Sequence, residues 1–244
     1  MKIALIADIH GNLAAFDAVL AEIERAAPDQ IVCLGDVAAT GPQPHEVLVR
    51  LHELACPVVL GNADAVLIDL PTDAPDGDEA TRKILEIDHW CAAQLDGADR
   101  AFIASFQPTV EIALGGAGRL LCCHGSPRSF NDVIVATTPD EELAPMLAGA
   151  DAAIVAGGHT HIRMLRAWRG SEIVNPGSVG LAYQFFPDGT VRVPPWAELA
   201  FAMVADAGTI SVDFRRVPYD QRATVRAMRE RGMPHASWWS ADWR

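Results

Sequence analysis

Five short apolar runs, each ending in a loop that carries Asp, Asn or His beside glycine, constrain this chain more than any other feature. The runs are 3–7, 31–34, 58–60, 120–123 and 152–156. They lead into Asp8-Ile9-His10, Gly35-Asp36, Gly61-Asn62, His124-Gly125 and Gly158-His159-Thr160-His161. Short continuous apolar runs bounded by turn residues predict strands buried on both faces. Strands of an open α/β sheet deliver ligands from their carboxyl ends into one crevice. The first and last loops place two donor residues at i and i+2, which in an extended segment leave on the same face. The donors are nitrogen and oxygen only, a set that suits first-row divalent metals. Glycine beside them allows close approach of the backbone to a bound ion or phosphate.

The rest of the chain supplies the framework. The start predicts a βαβ unit: strand 2–7, helix 12–26 with apolar residues at helical spacing and Asn12 as N-cap, strand 31–34. A helix is expected at 45–54 before the 58–60 strand. Residues 70–77 predict an exposed loop, followed by helices at 78–95 and 98–106. Strands at 109–114 and 119–123 flank a glycine-rich turn, and a helix near 139–148 precedes the 152–156 strand. Beyond His161, runs at 162–168, 171–174, 200–205 and 209–216 have turn-rich connections and predict antiparallel strands, with a helix at 220–231. Two packed sheets with helices outside them follow from this order: an α/β protein, a four-layer α/β/β/α sandwich of two mixed β-sheets flanked by helices.

Half of the 244 residues are hydrophobic, enough for a sizeable core. The site motifs are scattered over three quarters of the chain and no linker-like stretch divides it. A single domain spanning 1–244 is expected, with a helical cap-like insert at about 64–106 and a Trp-rich tail at about 232–244. The formal charge of −13 opposes binding to nucleic acid. No apolar run is long enough for a bilayer, and Lys2 enters a strand at once with no signal-peptide pattern, so a cytoplasmic protein is expected. Five cysteines without a C-x-x-C pair argue against a disulfide framework. Cys33 and Cys122 are expected in the core. Packing is also favoured for Cys123, a soft metal ligand being its minor alternative. Trp238, Trp239 and Trp243 are expected to dock on the body of the protein or on a second copy, which makes a homo-oligomer a candidate assembly.

The ordered set Asp8-x-His10, Gly35-Asp36 with Gly41, Gly61-Asn62-Ala63-Asp64, His124-Gly125 and Gly158-His159-Thr160-His161, followed by Asn175-Pro176-Gly177-Ser178, resembles the calcineurin-like metallophosphoesterases. The small bacterial and archaeal phosphodiesterase branch is the nearest likeness. The resemblance implies two divalent metal ions (Mn, Fe, Zn, Co or Ni, with manganese first). Asp8, His10, Asp36 and His161 would hold one ion. Asp36, Asn62, His124 and His159 would hold the other, with Asp36 bridging. It implies hydrolysis of a small phosphodiester or phosphomonoester by attack of a metal-bridging hydroxide, with Asp36, Asn62 and His124 at the chemistry and Asp64 orienting His10. Two divalent ions make the centre net positive, whereas its carboxylates alone would repel a phosphate. Arg128 is a candidate phosphate contact. Many relatives carry His where this chain has Ala63, so the group that protonates the leaving alkoxide is left open.

Two other functions compete. A non-catalytic interaction scaffold of the same fold is kept in view by Ala63 and the tryptophan tail, although the complete ligand set opposes loss of the metal site. A nuclease would suit the chemistry but not the acidic surface. His45, His52, His89 and His235 match no motif. Trp90, Phe102 and Trp168 are expected to pack rather than bind. The 126–138 and 180–197 loops and the insert are expected to shape the substrate pocket.

Overall fold

Strand β1 (Lys2–Ile6) is apolar on both faces because both are covered. Ile3 and Leu5 enter a layer shared with Leu120, Cys122, Ile154 and Val174. Ala4 and Ile6 enter the opposite layer, with Phe16, Val19, Leu48 and Phe201. Each such buried aliphatic or aromatic side chain contributes roughly 1.5–3 kcal/mol. The computed structural model describes residues 1–72, 78–205 and 208–243.

After β1 come α1 (Leu13–Ala26), β2 (Gln30–Cys33), α2 (Pro44–Glu53), α3 (Asn62–Ile68), α4 (Glu79–Ala93) and α5 (Gly97–Ala104). Then follow β3 (Val110–Ala113), β4 (Arg119–Cys122), α6 (Asp140–Met146), β5 (Ile154–Ala156), β6 (Met164–Trp168) and β7 (Ser171–Asn175). The chain ends in β8 (Gln184–Phe185), β9 (Val191–Arg192), β10 (Trp196–Val204), β11 (Ile210–Pro218), α7 (Gln221–Glu230) and α8 (Ala236–Trp239). Asn12 caps α1 as expected, its side chain accepting the Ala15 N–H.

One sheet has the order β11-β10-β1-β2, with β1 and β2 parallel and the other pairs antiparallel. The second has the order β3-β4-β5-β7-β6, a parallel centre of β4, β5 and β7 with antiparallel edges. Their inner faces meet in the layer containing Ile3 and Leu5. Helices cover the outer face of the first sheet, and Leu143 and Leu147, in and just beyond α6, pack on the outer face of the second. This is the four-layer α/β/β/α sandwich. The parallel strands of both sheets end at one edge, which is why loops far apart in sequence meet there.

Several elements differ from the sequence expectation. The 58–60 run forms only bridges, Cys33 to Val58 and Val59 to Gln107, because Pro57 has no N–H to extend the ladder and the chain turns into α3 at Asn62. Helix α3 carries no long apolar period and was not expected. Strand β10 begins at Trp196, earlier than the 200–205 run, because the buried Glu198 interrupts the apolar pattern; Arg216 pairs with it at 2.9 Å. The 180–197 loop contains the β8–β9 hairpin. Part of the expected 70–77 loop, residues 73–77, lies outside the described residues. The tail docks on the body: the Val193 N–H donates to the Asp242 carbonyl, and Trp239 and Trp243 pack on the helix-side core. No helix among the described residues is long and apolar enough to cross a membrane.

Candidate metal centre

The donor residues lie beyond the strand ends, not within them. β1 stops at Ile6, and Asp8 and His10 then adopt φ values of 57° and 47°. Asp36, His159 and His161 are also left-handed, at 55°, 67° and 57°. The i, i+2 convergence expected from an extended chain is therefore produced by left-handed turns. Each such residue is strained unless its surroundings hold it there, and Asp and His tolerate this region better than bulkier residues.

The surroundings do hold it. The Asp8 and His10 N–H groups donate to the carbonyls of Gly35 and Asp36, and Val179 and Gly180 donate to those of Ala7 and Asp8. Ser178 donates its hydroxyl to the Asp8 carbonyl at 2.8 Å. Asn175 donates to the Gly158 carbonyl at 2.6 Å and to Thr160 Oγ1 at 3.0 Å, so the Asn175-Pro176-Gly177-Ser178 turn braces both histidine-bearing loops. Two glycines are required by contact. A Cβ at Gly61 would overlap the Asp36 carboxylate, and one at Gly41 would overlap the His10 carbonyl.

Two groups of side chains result. Asp8, His10, Asp36 and His161 form one, and Asp36, His124 and His159 form the other; in each, the donor atoms lie within 4.8 Å of one another. Asp36 belongs to both. Asn62, the first residue of α3, places Oδ1 3.1 Å from His124 Nε2. The Ala63 N–H donates to Asp36 Oδ1 at 2.8 Å, so the helix start also holds the shared carboxylate.

Backbone acceptors fix three of the imidazoles. His10 Nδ1 lies 3.1 Å from the Ala39 carbonyl and 2.7 Å from Thr40 Oγ1. His124 Nδ1 lies 2.7 Å from the Leu34 carbonyl, and His161 Nδ1 lies 2.9 Å from that of Leu181. A carbonyl can only accept, so the proton is assigned to each Nδ1 and the Nε2 lone pairs of His10 and His161 face inward. Those two nitrogens are 3.2 Å apart. Two lone pairs at that distance repel, and a shared cation relieves them. His159 is half-buried, with its ring 5.3 Å from that of His124. Its N–H donates to Asp8 Oδ1 at 3.2 Å.

The charges point the same way. Asp8 is fully buried and its Oδ2 has no hydrogen-bond partner. Burial, augmented by the charge of Asp36, pushes its carboxyl well above the ordinary range despite His124. Burial would also raise Asp36, but His124 and His10 outweigh it and hold it low. Burial acts to lower His124, yet Asp36 and Asp8 outweigh it and raise it to about 10. Its Nε2 then faces Asp36 Oδ2 at 3.3 Å and Asn62 Oδ1. Burial lowers His10, His159 and His161, the last to about 3. His10, His159 and His161 are thus neutral imidazoles and Asp36 a carboxylate, the state in which such groups bind metal. The protons favoured on His124 and Asp8 are ones a bound cation would displace. The clusters can hold divalent metal ions.

Two expected roles are altered. Asp64 does not touch His10: it accepts the N–H groups of Asp36 at 2.7 Å, Val37 at 2.8 Å and Gly61 at 3.1 Å. It therefore sets the Asp36 loop, while Ala39 and Thr40 orient His10. Burial and the charge of Asp36 raise its carboxyl to about 6. Arg128 makes a two-pronged pair with Asp132, at 2.6 and 3.2 Å, and so already has a carboxylate partner. Cys123 lies in the outer core, 3.5 Å from the Ala156 carbonyl. Ala63 is buried in the helix-side core.

Other contributors are not marked in the sequence. Thr40 and the carbonyl partners of the histidines carry no side-chain signature in a sequence. Tyr183 stacks on His161 with ring centroids 4.9 Å apart. Asp88 of α4 is buried near the Thr40 N–H and leaves Oδ1 unpartnered.

Comparison with known proteins agrees with this geometry. The profile of the calcineurin-like phosphoesterase superfamily domain matches residues 1–192. The chain belongs to that superfamily. A metallophosphoesterase from Sphaerobacter thermophilus is 26% identical, with a TM-score of 0.73 over 99% of this chain and 98% of its own. A hypothetical protein from Pyrococcus horikoshii shares the fold, at 19% identity and a TM-score of 0.77 over 96% and 94% of the two chains. An uncharacterised protein of Methanocaldococcus jannaschii is 24% identical over 236 residues, 95% of this chain and 93% of its own.

Proposed function

We propose that this protein hydrolyses a phosphodiester or phosphomonoester at a two-metal centre in which Asp36 is shared. The supporting observation is the pair of donor groups with Asp36 in common. Asp8, His10, Asp36 and His161 would hold one ion, and Asp36, Asn62, His124 and His159 the other. When bound, two divalent ions, manganese first among the candidates, supply positive charge for the phosphoryl oxygens and a nucleophile from water near neutral pH.

The chain's own residues do the rest. Asp8 and Asp36 are the acidic members of the donor set, and Asn62 adds an oxygen without adding charge, which keeps the loaded centre attractive to a phosphate on a chain of net charge −13. Asp64, Asn175 and Ser178 fix the loops and so fix donor positions. Ala63 offers no acid to the leaving group, which favours esters whose leaving oxygen needs little protonation.

The test is turnover of an aryl phosphodiester by metal-stripped protein before and after addition of manganese. Stimulated hydrolysis that Asp36→Asn abolishes, with circular dichroism unchanged, is expected. Tight binding of two ions with no hydrolysis at any pH would refute catalysis and leave a metal-binding scaffold.

A further inference from the structure

One segment outside the donor loops grips the metal centre at two places. Residues 178–183 run alongside the Asp8 loop and end against His161. The Val179 and Gly180 N–H groups donate to the Ala7 and Asp8 carbonyls. Ser178 Oγ donates to the Asp8 carbonyl at 2.8 Å and accepts the Leu181 N–H at 2.8 Å. The Gly180 carbonyl accepts the Asn12 side chain at 3.0 Å. Ser178 and Val179 are fully buried, so this part of the segment is a fixed base.

From that base the segment meets the His161 side chain twice. The Leu181 carbonyl lies 2.9 Å from Nδ1 and fixes one edge of the imidazole. The Tyr183 ring covers a face of it, with centroids 4.9 Å apart and planes 19° from parallel. A single hydrogen bond leaves an imidazole free to tilt about the bonded edge, and a ring stacked on its face removes that freedom. Phe185 meets the Tyr183 ring in turn, in a T-shaped contact at 6.3 Å. Support of this kind is confined to one donor group. The His159 ring is half-buried, has no hydrogen-bond partner among the described residues, and stands 5.3 Å from the His124 ring.

We propose that Tyr183 is a positioning residue for one of the two ions. Its ring, stacked on His161, keeps Nε2 aimed at the point shared with Asp8, His10 and Asp36, and so strengthens that group and not the other. The assignment rests on the two-ion centre proposed above and adds a residue that makes its two halves unequal. The flat ring does this, not the hydroxyl, which has no hydrogen-bond partner among the described residues.

The test is calorimetric titration of metal-stripped protein with manganese chloride, in two backgrounds that each leave one donor group complete. His159→Ala leaves Asp8, His10, Asp36 and His161; His161→Ala leaves Asp36, Asn62, His124 and His159. In the first background Tyr183→Ala is expected to weaken manganese binding by about tenfold. Tyr183→Phe should restore it, and Tyr183→Leu, which fills space without a flat face, should not. In the second background Tyr183→Ala should leave the affinity unchanged. Tyr183 is 37% exposed, so its removal opens no large buried void, and circular dichroism of the same samples checks the fold. The comparison of Phe with Leu decides the point even if the alanine variant does not fold. Equal weakening in both backgrounds would overturn the inference, because general loosening of the structure would produce it. Loss in Tyr183→Phe as large as in Tyr183→Ala would also overturn it. Unchanged affinity in the first background would overturn it and leave the two-ion centre standing. No manganese binding by the parent protein would instead overturn the centre, and the role of Tyr183 with it.

Discussion

Replacing Asp88 by Asn should flatten the dependence of stability on pH. Asp88 is 6% exposed, and one carboxylate oxygen has no partner. Burial raises its pKa from 3.8 to about 7, with the Thr40 N–H opposing and the charge of Asp36 assisting. Between those values the folded protein holds a proton that the unfolded chain has released. Stability must therefore fall as pH rises through this window, by about 1.4 kcal/mol per unit and about 4 kcal/mol in all. Asn keeps the shape of the side chain and cannot ionise. The assay is urea unfolding of metal-stripped parent and variant at half-unit steps from pH 4 to 8, followed by far-ultraviolet circular dichroism. Taking the difference between the two proteins cancels the titration of other groups. The variant should gain on the parent progressively and be more stable by several kcal/mol at pH 8. Parallel profiles would refute the claim that Asp88 is buried with its charged form unsatisfied.

Other substitutions separate the layers of the site. Asn175→Ala removes the donor that braces the Gly158–Thr160 turn, and metal affinity or activity should fall by about 10–100-fold in a calorimetric titration or rate assay. Gly61→Ala needs no unusual backbone, since φ is −92°, but its methyl would displace the Asp36 carboxylate. Turnover should drop by about a hundredfold, and the melting temperature should fall as well because the methyl also meets the Asp36 backbone nitrogen at 2.5 Å. Arg128→Ala should leave kcat/KM near the parent value, because Asp132 already occupies the guanidinium; a loss of about tenfold would restore Arg128 as a phosphate contact.

Much of this arrangement was legible in the sequence because two physical signals coincide there. Strands covered on both faces must be continuously apolar, so 3–7, 120–123 and 152–156 stand out, and their ends are marked by Gly, Asp and His. That coincidence marks the sandwich and the six residues gathered around Asp36. The misses have equally definite causes. Helix α3 begins at a ligand and ends after seven residues, too short to show a period. The left-handed turns at Asp8, His10 and Asp36 are imposed by bonds to distant loops, so no local pattern announces them. The family resemblance points Asp64 at His10, yet its three bonds go to the backbone around Asp36. Tyr183 reaches His161 from the segment that enters the β8–β9 hairpin, whose strands of two residues are below what alternation can reveal.

The division of labour has a consequence for where function is vulnerable. The donors themselves contribute little to their own placement: five of them sit in left-handed backbone that a free loop would leave. Placement comes from Asp64, Asn175, Ser178, Thr40 and a set of carbonyls, each anchored in turn to a strand end or a helix start. Helix α4 extends that support outward, with Asp88 buried near the Thr40 N–H and Thr40 Oγ1 2.7 Å from His10 Nδ1. Thr40 itself is left-handed, at φ 62°, an unfavourable state for a β-branched residue, and Cys91 of the same helix donates to the adjacent Gly41 carbonyl at 3.3 Å. Helix α4 therefore braces the loop that orients a donor. The same helix holds Trp238 through Lys83. A displacement of α4 would thus reach the loop that orients His10 on one side and the tail tryptophan Trp238 on the other.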